Sequence, residues 1–187
     1  YYTRYEKGKE YPLYCRKKGS LEAEEQIMLD VNELAQGHAY YVATGLQISP
    51  NNKLLAFSED TISRRIYTIR FINLETGEFL PDVLTQASAG GAWADDNQTF
   101  FYTVKNEVSL LSEKVVRHSL GTDSNTDAVV YTDTDPSFYI GVYRSKSDRY
   151  IIIYNSSTIS SDYHILRSDR PMDQFEQFAE RRPNHEY

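Results

Sequence analysis

Polar turns followed by short apolar runs recur along this chain. Three segments share the pattern: Ser49-Pro50-Asn51-Asn52-Lys53-Leu54-Leu55-Ala56-Phe57, Ala94-Asp95-Asp96-Asn97-Gln98-Thr99-Phe100-Phe101-Tyr102 and Ser145-Lys146-Ser147-Asp148-Arg149-Tyr150-Ile151-Ile152-Ile153, starting 45 and then 51 residues apart. Pro fixes φ, and Asn and Asp tolerate left-handed backbone, so each segment opens on a tight turn. The β-branched and aromatic residues that follow suit a buried strand. A second set lies downstream: Tyr67 to Leu74, Val116 to Leu120 and Tyr163 to Leu166, in which Leu74, Leu120 and Leu166 are 46 apart both times. Each meets a polar turn and then a final short strand, near Val83-Leu84, Ala128 to Tyr131 and Phe175 to Phe178. An inner strand precedes each first turn: Val42 to Ile48, Ala89 to Trp93 and Phe138 to Tyr143, with Gly90-Gly91 suited to close backbone approach.

Each repeat of roughly 45–50 residues thus holds four short antiparallel strands, which is the size and content of a β-propeller blade. Tyr1 to Glu6, Glu10 to Lys17 and Gln26 to Val31 read as three strands of a preceding blade, with a helical turn at Val31 to Gln36 stopped by Gly37. Asn184 to Tyr187 reads as the start of another blade. The pattern therefore predicts an all-β partial propeller: about three four-stranded blades and most of a fourth, at approximately 1–37, 38–87, 88–135 and 136–187. A closed four-bladed ring is the competing architecture.

Composition narrows the partners. The 187 residues carry a formal net charge of −7, which argues against nucleic-acid and anionic-membrane partners. Apolar residues make up 40%, yet the longest apolar run, at Tyr150 to Tyr154, is too short to span a bilayer. The 16 tyrosines suit sheet surfaces. A single cysteine, Cys15, excludes an internal disulfide. The chain opens on Tyr-Tyr-Thr-Arg without an initiator Met, and so reads as a piece of a longer protein.

Few residues offer chemistry. Asp123-x-Asn125-x-Asp127 resembles the opening of a calcium loop, but Ala128 and Thr134 stand where Gly and Glu are needed, so a polar hairpin is expected. His38, His118, His164 and His185 are widely spaced, and His118 and His164 are assigned to equivalent repeat positions. Cys15 reads as a buried filler, with a reactive thiol beside Arg16 and Lys17 as the alternative. Asn97-Gln98-Thr99 and Asn155-Ser156-Ser157 match the glycosylation pattern, which bears only on a secretory setting. Glu59-Asp60 and Asp95-Asp96 are expected as solvated turn charges, and Tyr1-Tyr2 and Tyr40-Tyr41 as strand packing rather than channel lining. No residue is assigned to catalysis, a cofactor or a metal.

Several long motifs carry a family resemblance. Tyr5 to Ser20, Leu29 to His38, the Ser49 to Asn52 turn, Arg64 to Arg70, Leu74-Glu75-Thr76-Gly77-Glu78, Arg117 to Thr122 and His185-Glu186-Tyr187 resemble, in order, the propeller of the prolyl oligopeptidase family of serine peptidases, in its oligopeptidase B (protease II) branch. The resemblance implies a seven-bladed propeller capping an α/β-hydrolase domain and limiting admission to short peptides, with cleavage after Arg or Lys. It also implies oligopeptide substrates and a hydrolase-domain partner; a cytoplasmic location is the expectation, with the periplasm as alternative. The Gly-x-Ser-x-Gly turn that presents a nucleophilic serine does not occur in these residues. The chain by itself is therefore expected to be non-catalytic, and to self-associate through apolar sheet faces left bare at its two ends. A free-standing propeller that binds a protein or sugar is the alternative function.

Overall fold

The computed structural model describes residues 1–187 and is a partial β-propeller, only 4% helical. The first sheet is the meander β1 (Tyr2–Arg4), β2 (Leu13–Lys17) and β3 (Glu25–Asp30). The single-turn helix α1 (Val31–Leu34) follows, its N-terminus capped by the Asp30 carboxylate, which accepts from the Asn32 and Glu33 amides. The second sheet holds β4 (Val42–Ile48), β5 (Leu54–Asp60), β6 (Tyr67–Asn73) and β7 (Phe79–Ala87). The third holds β8 (Ala92–Trp93), β9 (Thr99–Lys105), β10 (Ser112–Ser119) and β11 (Ala128–Thr132). The fourth holds β12 (Tyr139–Arg144), β13 (Tyr150–Ser156), β14 (Ser161–Arg167) and β15 (Glu176–Ala179). Every pairing is antiparallel. One further pair, Ala87 with Val104, joins the second and third sheets into a continuous ladder.

The turns form where their residue types dictate. Asn52, Asn97 and Asp148 all sit at φ near +60°, at the same point of each hairpin. Around the first, the Ser49 hydroxyl accepts from the Leu54 amide at 2.9 Å and Asn51 Oδ1 from the Lys53 amide at 3.0 Å. Side-chain alternation then splits each second strand between two neighbours. Leu55 and Phe57 pack toward the first sheet while Ala56 packs toward the third. Phe100 and Tyr102 pack toward the second sheet while Phe101 packs toward the fourth. Ile151 and Ile153 close the last junction, both at 0% exposure. Four sheets therefore stack through three apolar junctions.

Two expectations change. Leu54, Thr99 and Tyr150 are equivalent, and they pair with Asn73, Ser119 and Arg167. The residue equivalent to Leu74 and Leu120 is therefore Ser168: the three amides donate to Lys53 O, Gln98 O and Arg149 O respectively. Leu166 instead matches Ile72 and His118, two positions earlier. His164 pairs with Ile153 and matches Val116, so His118 and His164 are not equivalent. The cause is a short hairpin between β13 and β14, closed by the Ser157 amide on Ser160 O at 2.9 Å. Asn184 to Tyr187 is an irregular segment after the last strand. It folds back on the fourth sheet, where His185 O accepts from the Ser161 amide at 3.0 Å and the Tyr187 ring meets Tyr163 edge-on.

Candidate functional site

The inner strand β4 meets the residues leading into β8 backbone to backbone, at Gly45 and Gly90. A Cβ built on Gly45 would lie 2.4 Å from Gly90 N, so this contact requires glycine. Both residues sit at positive φ, +61° and +84°. The Gly90 amide donates to the Ser58 hydroxyl at 2.9 Å. Trp93 and Arg144 each reach back to the preceding inner strand: Trp93 Nε1 donates to Gln47 O at 3.0 Å, and Arg144 Nη1 to Trp93 O at 2.8 Å. Arg144 also pairs with Asp95, and with Asp148 at 3.1 Å. These groups open onto a polar pocket of about 440 Å³, also lined by Arg149, Arg167 and Ser168. The Ser168 hydroxyl donates to Asp148 O at 2.7 Å and has no imidazole partner. The pocket lining is polar apart from Tyr150.

The second and third sheets are also held by a buried polar chain. His118 is 0% exposed, with Nε2 3.0 Å from Asp82 Oδ1 and Nδ1 2.8 Å from Asp127 Oδ1. Gly121 N donates to Asp82, Tyr102 OH donates to Asp127 at 3.1 Å, and Phe71 stacks on the ring. Burial pushes the Tyr102 hydroxyl well above its ordinary range, with the Asp127 charge adding to the shift. Asp127 thus belongs to this chain, while Asp123 caps a short 3-10 turn over Ser124–Thr126. The arrangement resembles a triad orienting pair, but the His118 ring nitrogens meet only the two carboxylates, and the ring is 0% exposed. Its role is to clasp two blades. Sequence reading missed Asp82, whose only signal is a carboxylate inside the alternating strand β7.

The other candidates are structural. His164 lies against Tyr131, and burial lowers its pKa against the opposing pull of Asp162. Arg181 covers the Phe138 ring at 3.6 Å, donates to Asp162 at 2.5 Å and pairs with Asp133, tying the third sheet's exit to the fourth sheet. The Asn97 side chain bridges two surface turns, its Oδ1 accepting from Asn51 N at 2.8 Å, while Asn155 is 0% exposed and serves packing. Asp95 and Asp96 are exposed as expected, whereas Asp60 is 2% exposed and accepts from the Ile62 and Arg65 amides. Tyr41 is buried with its hydroxyl on Glu59, and Tyr2 donates to Glu25 at 2.5 Å.

The two end sheets differ. The outward face of the first carries Tyr2, Arg4, Leu13, Cys15, Glu25 and Ile27. Arg4 forms ion pairs to Glu25 at 2.8 Å and Glu6 at 3.0 Å, and beneath this layer Leu13 and Cys15 are only 1% and 0% exposed. Burial pushes the Cys15 thiol up, which disfavours the reactive thiolate. Hydrogen bonds from Arg4 and then Tyr2 hold the Glu25 carboxyl down at about 2. On the outward face of the fourth sheet Tyr143, Tyr150, Ile152, Tyr163, Ile165 and Phe178 line a groove of about 460 Å³, and Arg167 and Glu176 lie beside it, cross-strand from Tyr150 and Ile165.

Comparison with known proteins agrees with this architecture. Residues 1–187 match the family described as prolyl oligopeptidase, N-terminal beta-propeller domain. The chain is 42% identical to dipeptidyl aminopeptidase BI of Pseudoxanthomonas mexicana, over 91% of this chain and 26% of that protein. It is 31% identical to Protease 2 of Moraxella lacunata, over 97% of this chain and 27% of that one. Oligopeptidase B from Trypanosoma brucei superposes with a TM-score of 0.88 at 32% identity, over 98% of this chain and 26% of that one. The chain therefore spans about a quarter of the length of the relatives it matches.

Proposed function

Because this chain belongs to the prolyl oligopeptidase family, whose N-terminal propeller domain it matches throughout, we propose that it is the substrate-gating part of a serine oligopeptidase. The observation that carries the reading is the end-to-end match to a propeller domain in a chain without a Gly-x-Ser-x-Gly turn. Chemistry then belongs to a hydrolase domain, and the propeller acts by exclusion. Rigid blades, clasped at Gly45–Gly90 and by the His118 chain, leave room for flexible oligopeptides and reject folded proteins. The net charge of −7 favours basic peptides, in keeping with cleavage after Arg or Lys. The same reading places the protein in the cytoplasm, which cell fractionation tests. The chain alone also self-associates, through apolar sheet surface that its own residues leave uncovered.

A second specificity has its own support: the 42% identity to a dipeptidyl aminopeptidase favours release of dipeptides from free amino termini. One experiment addresses both. The protein in its complete form and the 187-residue chain are assayed on an N-blocked arginyl chromogenic amide and on a dipeptidyl amide with a free amino terminus. The complete protein should turn over at least one substrate, and a serine-directed covalent inhibitor should abolish it. The 187-residue chain should turn over neither. Inhibitor-sensitive turnover by the chain alone would overturn the reading.

A further inference from the structure

We infer that Arg144 and Trp93 form a conformational relay across the inner strands, so that loosening of the fourth sheet's inner strand is passed through the Trp93 indole to the second sheet.

The repeat shows how the relay is built. The Ser49, Ala94 and Ser145 amides close the same hairpin in successive sheets, donating to Leu54 O, Thr99 O and Tyr150 O at 2.9, 2.9 and 2.8 Å. Ile48, Trp93 and Arg144, one residue earlier, are therefore equivalent, and they pair with Leu55, Phe100 and Ile151. At this one position the third and fourth sheets carry side chains that donate backward. Arg144 Nη1 donates to Trp93 O at 2.8 Å, and Trp93 Nε1 donates to Gln47 O at 3.0 Å. Trp93 thus accepts through its backbone and donates through its ring, and the two bonds share one residue. Ile48 carries no donor, so the series ends at the second sheet.

The middle member is the one most dependent on these ties. β8 is two residues long and pairs with β9 only at Ala92–Phe101 and Trp93–Phe100, whereas β4 and β12 have seven and six residues. So short a ladder fixes its strand weakly, and side-chain bonds set where Trp93 sits. A charged guanidinium is the stronger kind of donor, and Asp95 and Asp148 keep it aimed. Trp93 is 2% exposed, and its ring meets Phe71 of β6 and Phe100 of β9 edge-on, at 5.5 and 5.0 Å. Close packing leaves the ring no room to adjust by itself. A shift of the Trp93 backbone therefore drives the indole against Phe71 and lengthens its bond to Gln47. The Gly45–Gly90 contact joins the same two sheets by a second route that bypasses the indole.

Hydrogen exchange on the protein in its complete form, read by mass spectrometry on peptides covering β4 and β12, tests this and separates the two routes. Arg144→Gln should speed exchange in β12, and in β4 by about threefold or more, within the range of couplings carried through packed networks. Asp148→Asn spares the bond to Trp93 O and suits the left-handed backbone at φ +60°, so it should leave β4 unchanged. In a Trp93→Phe background, which keeps an aromatic ring but removes the donor, Arg144→Gln should still loosen β12 and add nothing in β4. Arg144→Met, which keeps the packed stem, gives the same comparison where Arg144→Gln does not fold. Exchange in β4 that ignores the loss of Arg144 would overturn the relay. So would equal acceleration with and without Trp93, which would assign the coupling to Gly45–Gly90. Acceleration of β4 by Asp148→Asn as large as that by Arg144→Gln would credit the ion pair instead, and would overturn it as well.

Discussion

The first and last sheets each turn one face away from the rest of the chain, and the two faces are built differently. Both follow the period-two alternation of a strand with two buried sides. On the first sheet, β1 lays Tyr2 and Arg4 over Leu13 and Cys15, and Glu25 on β3 gathers both polar heads. Two apolar side chains are thereby withdrawn from water with no neighbouring sheet. On the last sheet Ile152 is rimmed by tyrosines, Ile165 and Phe178, and the charged Arg167 and Glu176 stand only at the margin, cross-strand from Tyr150 and Ile165. The contrast teaches that alternation states where apolar groups lie, while cross-strand polar partners decide whether a face needs another sheet. Long side chains with charged heads can cover apolar surface by their stems; tyrosines leave it adhesive.

The closed junctions set the scale against which both faces are measured, and the largest effect belongs there. His118→Ala leaves the Asp82 and Asp127 carboxylates buried without their partner, which should cost about 3–5 kcal/mol in urea denaturation. A loss below about 1 kcal/mol would mean that the clasp is dispensable. Next comes a pair of neighbours on one strand. Ile153, 0% exposed in the third junction, should cost about 2–5 kcal/mol when changed to Ala. Ile152→Ala, on the bare face, should cost less than about 1 kcal/mol in the monomer. Equal losses would show that the face is already covered.

Much of this was legible in the sequence, because turns and alternation are local. The three tight turns, the inner strands, the helical turn before Gly37 and the apolar last face all follow from residues adjacent in the chain. The Gly45–Gly90 contact was half legible, from Gly90-Gly91 alone. Register was harder. Counting leucines at a constant interval selected Leu166 rather than Ser168, because the Ser157–Ser160 hairpin is shorter than its counterpart closed by Asn106 on Leu111. Polar pairing was not legible. Asp82 and His118 are 36 residues apart, and Arg181 and Asp133 are 48 apart. Only the stacking of sheets selects such partners, and no local pattern encodes it. The sealed first face was invisible for the same reason, so both ends were expected to be bare.

The single cysteine reports on that seal. Glu25→Gln keeps the side chain's shape but removes the charge that gathers Arg4 and Tyr2. A pyridyl disulfide reagent should then modify Cys15 several-fold faster than in the unaltered chain, with little change in the urea midpoint. If Cys15 reacts at the same rate in both, the charged layer is not what protects it. Phe178→Asp, at the far end, should leave the rate unchanged.

The smallest effect concerns acid, and it separates the two end sheets by the pH at which each weakens. Burial lowers the His164 imidazole below its ordinary 6.5 in the fourth sheet, and its Nδ1 finds no hydrogen-bond partner, lying 3.6 Å from Asp162. The unfolded chain therefore takes up this proton before the folded one does. Stability tied to His164 is complete above pH 6.5 and falls as pH drops through the lower folded value. Glu25 in the first sheet behaves as a carboxylate with a depressed pKa. Its contribution is complete above about 4.5 and disappears only as pH falls through about 2. Acidification from neutrality should thus loosen the last sheet first, while the first stays sealed. Urea midpoints between pH 8 and 5 should decline in the unaltered chain and flatten in His164→Asn. Hydrogen exchange over the same range should rise in β14 before it rises in β2. A decline that persists in His164→Asn, or exchange that rises in β2 first, would remove His164 as the cause and reverse the assigned order of the two ends.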